Sequence, residues 1–61
     1  MRFVKEYANY ENERIKNFNI GDGAKAKAYE AINKAVHMYE RGIITGTEAV
    51  RMIGASTLKL T

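Results

Sequence analysis

Tyr39-Glu40-Arg41-Gly42-Ile43-Ile44-Thr45-Gly46-Thr47-Glu48-Ala49 is the stretch that decides the fold, because it ends one helix and begins another. Gly42 suits the left-handed position that closes a helix, and Arg41 places a cation at the negative end of the helix dipole. Ile43 and Ile44 form a short apolar connector. Thr45-Gly46-Thr47-Glu48 matches a capping box, in which the Thr45 hydroxyl accepts from the Glu48 amide while the Glu48 carboxylate accepts from the Thr45 amide. A stop and a start this close together predict two helices folded against each other.

On the N-terminal side, residues 24–41 carry Ala24, Ala26, Ala28, Ala31 and Ala35 with Ile32, Val36, Met38, Tyr29 and Tyr39, an apolar half-cylinder built from strong helix formers. The seam Ala24, Ala28, Ala31, Ala35 is narrow and lets another helix approach closely, with Tyr29, Ile32, Val36 and Tyr39 as a bulkier flank. Phe18-Asn19-Ile20-Gly21-Asp22-Gly23 interrupts the helical period, and Asp22 is placed to cap the helix that follows. Before this break, residues 3–18 at 100° per residue gather Phe3, Val4, Tyr7, Ala8, Tyr10, Ile15 and Phe18 into one arc, opposite Lys5, Glu6, Asn9, Asn12, Glu13 and Lys16. Glu11 and Arg14 fall inside the apolar arc, three residues apart. Burying that pair within one chain costs more desolvation than it returns, so its expected place is a junction between two chains, where it sets register.

On the C-terminal side the capping box opens a short helix through Ile53, with Ala49, Val50, Met52 and Ile53 apolar and Gly54 as its expected stop. Residues 55–61 alternate apolar and polar from Thr57, which fits either a frayed, flexible tail or an edge strand added to a partner. With no repeat, low-complexity tract or dividing linker, the expectation is a single helical domain over 1–61. It is all-α, with two longer amphipathic helices and a short capped third.

The chain has 61 residues, no Cys, no Pro and no Trp, a formal charge of +3, and 46% hydrophobic and 28% charged residues. A domain of this size buries only about 60% of the surface that its unfolded chain exposes, and is marginal unless disulfides, a metal or self-association help. Zero Cys removes disulfides, and His37 is the single His. A homo-oligomer, in its simplest form a dimer, is therefore expected. The opening run MRFVKEYANYENE turns charged at once and has no apolar core of signal-peptide length, and no window approaches the length of a membrane span. The chain reads as cytoplasmic. Residues 1–22 balance four basic against four acidic side chains, whereas 23–61 carry six against three. The excess charge lies in the second half.

Catalytic chemistry finds little support. His37 sits among Glu30, Lys34, Glu40 and Arg41 on the polar side of its helix, with no second His or Cys to share a metal. Ser56 is the only Ser, with no His–acid pair at a recognisable spacing. Gly21-Asp22-Gly23-Ala24-Lys25 has the glycines of a phosphate loop without its length, its Lys-Ser/Thr ending or its preceding strand, so it reads as a turn. No catalytic residue, cofactor, metal or small-molecule ligand is expected.

Binding finds more. Four Tyr and two Phe exceed what a core this small encloses, and Tyr and Arg are the residue types that anchor interfaces. Tyr7, Tyr10 and Arg14 of the first helix and Tyr29 and Tyr39 of the second are the expected partner-binding residues. The alternative is a small basic nucleic-acid-binding regulator, because Lys27, Lys34 and Arg41 recur every seven residues on one face with Glu30 interposed. A helix-turn-helix aligned on Gly42 puts Met38 at its small-residue position and Glu48 at its buried one, and neither fits. A ribbon-helix-helix start, with residues 2–7 as an intermolecular strand, competes with the helical pattern there.

The stretch Tyr39 to Ala49 resembles the short C-terminal helical modules known as SHOCT, which consist of a helix ending in Gly, an apolar pair, Thr, and Glu three later; Ala49 stands where those modules usually carry an aromatic. Taken whole, Tyr7-Ala8-Asn9-Tyr10, Tyr39 to Thr45 and Ala49-Val50-Arg51-Met52-Ile53 are similar to small uncharacterised proteins of phages and mobile elements of Gram-positive bacteria. The resemblance implies a short accessory or inhibitor protein that blocks a host defence such as CRISPR, and it supplies no site residues. The expected function is non-enzymatic protein binding.

Overall fold

Helical period and capping signals together partition the chain into three segments, and the three-dimensional arrangement follows from where small side chains let those segments meet. The computed structural model describes residues 2–60; Met1 and Thr61, and with them the two ends of the expected 1–61 domain and the last residue of the expected tail, lie outside the described residues. Helix α1 runs over Arg2–Lys16, α2 over Asp22–Glu40 and α3 over Gly46–Leu58, and no strand occurs among the described residues. Each helix packs on the other two in a bundle of 33 × 16 × 14 Å, whose long axis matches the roughly 28 Å of the nineteen-residue α2. No helix of the described residues is long and apolar enough to cross a membrane.

The α2–α3 junction takes the form that its sequence predicts. Gly42 adopts φ +76°, donates its amide to Tyr39 O at 3.0 Å, and is followed by Ile43, whose amide reaches Met38 O at 2.9 Å. These two bonds are the Schellman pair that satisfies the last carbonyls of α2. Three residues later the Thr45 amide donates to Glu48 Oε1 at 2.9 Å and the Glu48 amide donates to Thr45 Oγ1 at 3.2 Å, completing the capping box. The α1–α2 junction has no such reciprocal lock. The Asn17 and Phe18 amides close the end of α1 on Arg14 O and Ile15 O, and Lys25 Nζ reaches back to Lys16 O at 3.0 Å.

The core is small-grained. Val4, Ala8 and Ile15 of α1, Ala28, Ile32 and Ala35 of α2, and Ala49 and Ile53 of α3 are buried, and four of these eight are Ala. Alanine on each helix draws the backbones together, and three fully buried isoleucines, Ile15, Ile32 and Ile53, fill the space that remains. Ala28 and Ala35 of the expected narrow seam are buried, while Ala24 and Ala31 are partly covered.

Four local expectations are corrected. Asp22 does not cap α2: Gly21 occupies the cap position without a side-chain hydrogen bond, and Asp22 is the first helical residue, where its charge complements the dipole. Gly54 does not stop α3, which continues to Leu58. Ending a helix on glycine needs the left-handed conformation, and Gly42 is the one positive-φ residue among those described. Burying Thr57 against the core carries the helix onward, and its hydroxyl donates to Ile53 O at 3.3 Å, as the Ser56 hydroxyl does to Met52 O at 2.8 Å. Residues 55–58 are thus helical rather than a frayed tail or an edge strand, while residues 2–7 lie in α1, in keeping with the helical pattern that competed there with an intermolecular strand. The fourth correction concerns Glu11, which lies inside the single chain.

Candidate protein-binding face on the first helix

The apolar arc of α1 is wider than the face that its neighbours cover, so the fold divides it into two seams. The inner seam, Val4, Ala8, Glu11 and Ile15, follows the i, i+4, i+7, i+11 spacing and is buried along its whole length. The outer seam, Phe3, Tyr7, Tyr10 and Arg14, follows the same spacing one residue earlier. Along it, Phe3 is 55% exposed and Tyr10 is 60% exposed, while Tyr7 is half-buried against the core. The Phe3 and Tyr7 rings stack, with centroids 6.4 Å apart and planes 8° from parallel. Arg14 continues the row toward Phe18, with its guanidinium carbon 5.8 Å from the ring centroid. The result is a ridge of stacked and cation-capped rings on the surface.

Beneath the ridge, Arg14 Nη1 donates to Glu11 Oε1 at 2.9 Å, joining a side chain that is 45% exposed to one that is 2% exposed. The pair expected at a junction between chains is instead split by depth within one: the carboxylate is inside and the guanidinium stays at the edge. That arrangement avoids desolvating both charges. Its consequence is that Glu11 Oε2 is buried without a hydrogen-bond partner, as is Asn12 Oδ1 on the neighbouring residue. Tyr7 stands over the pair. Its phenol is pushed above its ordinary pKa, first by burial and then by the nearby Glu11 carboxylate, with Arg14 acting in the opposite direction.

A cavity of about 100 Å³ opens here between α1 and α3, lined by Tyr7, Glu11, Arg14, Gly54, Thr57 and Leu58. Gly54 faces α1 across this cavity, and a Cβ built on it would meet Tyr7 Oη at 3.4 Å, an ordinary contact distance. Leu58, 73% exposed, extends the apolar rim of the ridge on the α3 side.

Of the five predicted partner-binding residues, Tyr7, Tyr10 and Arg14 are brought together on the ridge. Tyr29 and Tyr39 are partly buried against the core on α2 and take no part in it. The sequence places Phe3 in the apolar arc but outside the predicted partner-binding set, and it assigns none of Leu58, Gly54 and Thr57 to the site. The usable signal was Glu11, whose charge inside an apolar arc marks the place where the site lies.

The basic residues Lys27, Lys34 and Arg41 are all exposed on α2, with Glu30 exposed between them. Lys27 also borders a groove of about 300 Å³ lined by Ala24, Ala28, Ala31, Ser56, Lys59 and Leu60. His37 is exposed, its Nδ1 3.9 Å from Glu40 Oε1. Among the described residues no group of three His, Cys, Asp or Glu side chains is placed to hold a metal. Compared with family models, with curated proteins and with solved structures, the chain finds no match.

Proposed function

We propose that this protein is a non-enzymatic protein-binding module, an accessory or inhibitor that presents the outer seam of α1 to a protein target. The observation that carries this reading is the exposure of Phe3 and Tyr10 beside a fully buried Val4 and Ile15 on the same helix. Rings set out at heptad spacing on one face are what a partner helix or groove receives, and aromatic and Arg side chains are the usual anchors of such contacts. The proposed target is a host protein, which is what the resemblance to small phage and mobile-element proteins implies. Self-association through the same seam is the competing use of that surface, and the homodimer expected from chain size belongs to it.

The test is a quantitative comparison of what the full chain and a Phe3→Ser, Tyr10→Ser variant retain from lysate of the native cell. Both side chains are mostly exposed, so the variant is expected to keep its helical circular dichroism and to lose specific proteins that the parent retains. If the two capture the same set, the outer seam is not the binding face. Sedimentation at micromolar and nanomolar concentrations separates self-association from binding of a target.

The nucleic-acid alternative rests on the exposure of Lys27, Lys34 and Arg41 along one face of α2. Such binding weakens steeply with ionic strength because each neutralised phosphate releases counterions, whereas contacts through buried rings do not. Reversing the three charges abolishes it and leaves binding through the outer seam intact.

A further inference from the structure

The groove of about 300 Å³ between α2 and α3 shares no lining residue with the cavity beside Tyr7 or with the outer seam of α1. Its apolar lining is aliphatic throughout: Ala24, Ala28 and Ala31, at i, i+4 and i+7 on α2, and Leu60 just beyond the end of α3. Ala28 is buried and the other three are partly covered, whereas Lys27 and Lys59, which line the same groove, are exposed. The covered part of the lining is therefore hydrocarbon and the exposed part cationic. No acidic side chain lines the groove, and neither lysine has an ion-pair partner among the described residues, unlike Arg14, which is held by Glu11.

A ligand complementary to this lining has two parts. Its body is apolar and asks for no hydrogen bond, because the one hydroxyl in the lining, that of Ser56, already donates to Met52 O at 2.8 Å. Its head is an anion, since two ammonium groups on flexible stems bring positive charge that nothing in the groove balances. Two ammonium groups, with no arginine fork and no uncommitted hydroxyl proton beside them, suit the two oxygens of a carboxylate better than the three of a phosphate. Size sets the body. A volume of about 300 Å³ lies at the lower end of small-molecule clefts, and Ala24 to Ala31 spans about 10 Å at roughly 1.5 Å per residue. One short aliphatic chain fits such a space, and a two-tailed lipid does not.

We infer that this groove binds a single-chain aliphatic carboxylate, with the chain against the alanines and Leu60 and the carboxylate on the Lys27 and Lys59 ammonium groups. The site is separate from the protein-binding face and does not depend on it. It is hidden in the sequence because its lining is assembled from two helices, each of which shows only small residues and a lysine.

The test is titration of the isotope-labelled full chain with octanoate, below its micelle-forming concentration, beside octanol, octylammonium and acetate. Octanoate is expected to move the amide signals of Ala28, Ala31 and Ser56 in a saturable way and to leave those of Phe3 and Tyr10 in place. Octanol is expected to bind about tenfold more weakly, the combined effect of losing two exposed ion pairs, with octylammonium weaker still and acetate without effect at the same concentration. Lys27→Gln, Lys59→Gln alters two exposed side chains, so the fold is retained and octanoate falls to the affinity of octanol. Ala31→Leu fills the groove with a good helix former and is expected to abolish the response to both, with circular dichroism confirming the fold. Equal binding of octanoate and octanol, an undiminished response in the lysine variant, signals that move at Phe3 and Tyr10 instead, or no response at all overturns the inference. A dimer that Ala31→Leu converts to monomer in sedimentation overturns it in favour of a second copy of this chain, and loss of target capture in Ala31→Leu without any octanoate response overturns it in favour of a protein partner.

Discussion

The two seams of α1 lie one residue apart and have exchanged the chemistry that burial alone would assign them. The inner seam encloses a carboxylate between Ala8 and Ile15, while the outer seam leaves Phe3 and Tyr10 in solvent. A sequence selected only to hold three helices together would turn the rings inward, since a buried aromatic removes far more apolar surface from water than a glutamate does. Neighbouring stripes on one rigid helix thus separate two requirements. The inner stripe sets how α1 sits on α2 and α3, and the outer stripe, Tyr7 apart, stays outside that packing; on the proposed reading it serves a partner.

The sharpest way to break this comparison is to truncate one residue from each seam. Ile15→Ala leaves a cavity between three close-packed helices and is expected to cost about 2–5 kcal/mol, enough to abolish a cooperative melt in a domain this small. Tyr10→Ala is expected to change the melting midpoint hardly at all. Chemical denaturation followed by circular dichroism measures both, and a large loss from Tyr10→Ala would mean that the outer seam is structural after all.

The next contrast lies within the ion pair. Arg14→Met strands the Glu11 carboxylate inside the bundle and is expected to cost about 2 kcal/mol. Glu11→Met releases a half-exposed guanidinium to water and fills the interior with a thioether, so its expected effect on stability is neutral or favourable. Two residues that share one 2.9 Å bond then differ in the sign of their effect when replaced by the same side chain. Equal losses would show that the bond matters more than the burial.

The helices and their capped junction were readable because their signals are local. Gly42, Thr45 and Glu48 fix hydrogen bonds within a few residues of themselves, so the end of α2 and the start of α3 follow from sequence alone. The end of α3 was not readable, because the burial of Thr57 against the core is tertiary and outweighs a mid-helix glycine. The division of the α1 arc was hidden for a similar reason. A helical wheel shows which residues share a face, but only the position of α3 decides which half of a wide apolar face is covered. Glu11 stood out in sequence as a misplaced charge, and its depth was not readable because the packing of the helices around it is tertiary.

A smaller effect tests whether the second wall of the cavity depends on the junction that starts its helix. Thr45→Ala removes the hydroxyl half of the capping box and is expected to cost about 1 kcal/mol. The Thr45 amide, and after it the Thr45 hydroxyl, hold the Glu48 carboxyl below its ordinary pKa. A group whose pKa is depressed on folding stabilises the fold above its unfolded value, about 4.3 for glutamate, and that support is lost as pH falls through the lower folded value. The parent chain is therefore expected to lose part of its stability on acidification, and Thr45→Ala to lose less over the same interval. Parallel acid limbs would mean that Glu48 does not report the cap.

The smallest expected effect is spectroscopic and falls on the residue shared by both seams. Tyr7 lies at the cavity mouth, where burial first, and then the Glu11 carboxylate, raise its pKa, while Arg14 lowers it. A raised value means that the neutral phenol is preferred in the fold. The associated stability is complete below the unfolded value, about 10, and disappears as pH climbs through the folded one. Ultraviolet titration of phenolate absorbance is expected to show one of the four tyrosines ionising after its neighbours, and Tyr7→Phe to delete that late step. Arg14→Met is expected to push the step higher, because the remaining carboxylate then acts on Tyr7 unopposed. If the late step survives Tyr7→Phe, the half-buried ring at the border of the seams does not sense the charge beneath it, and the boundary between interior and exposed face must be drawn elsewhere on α1.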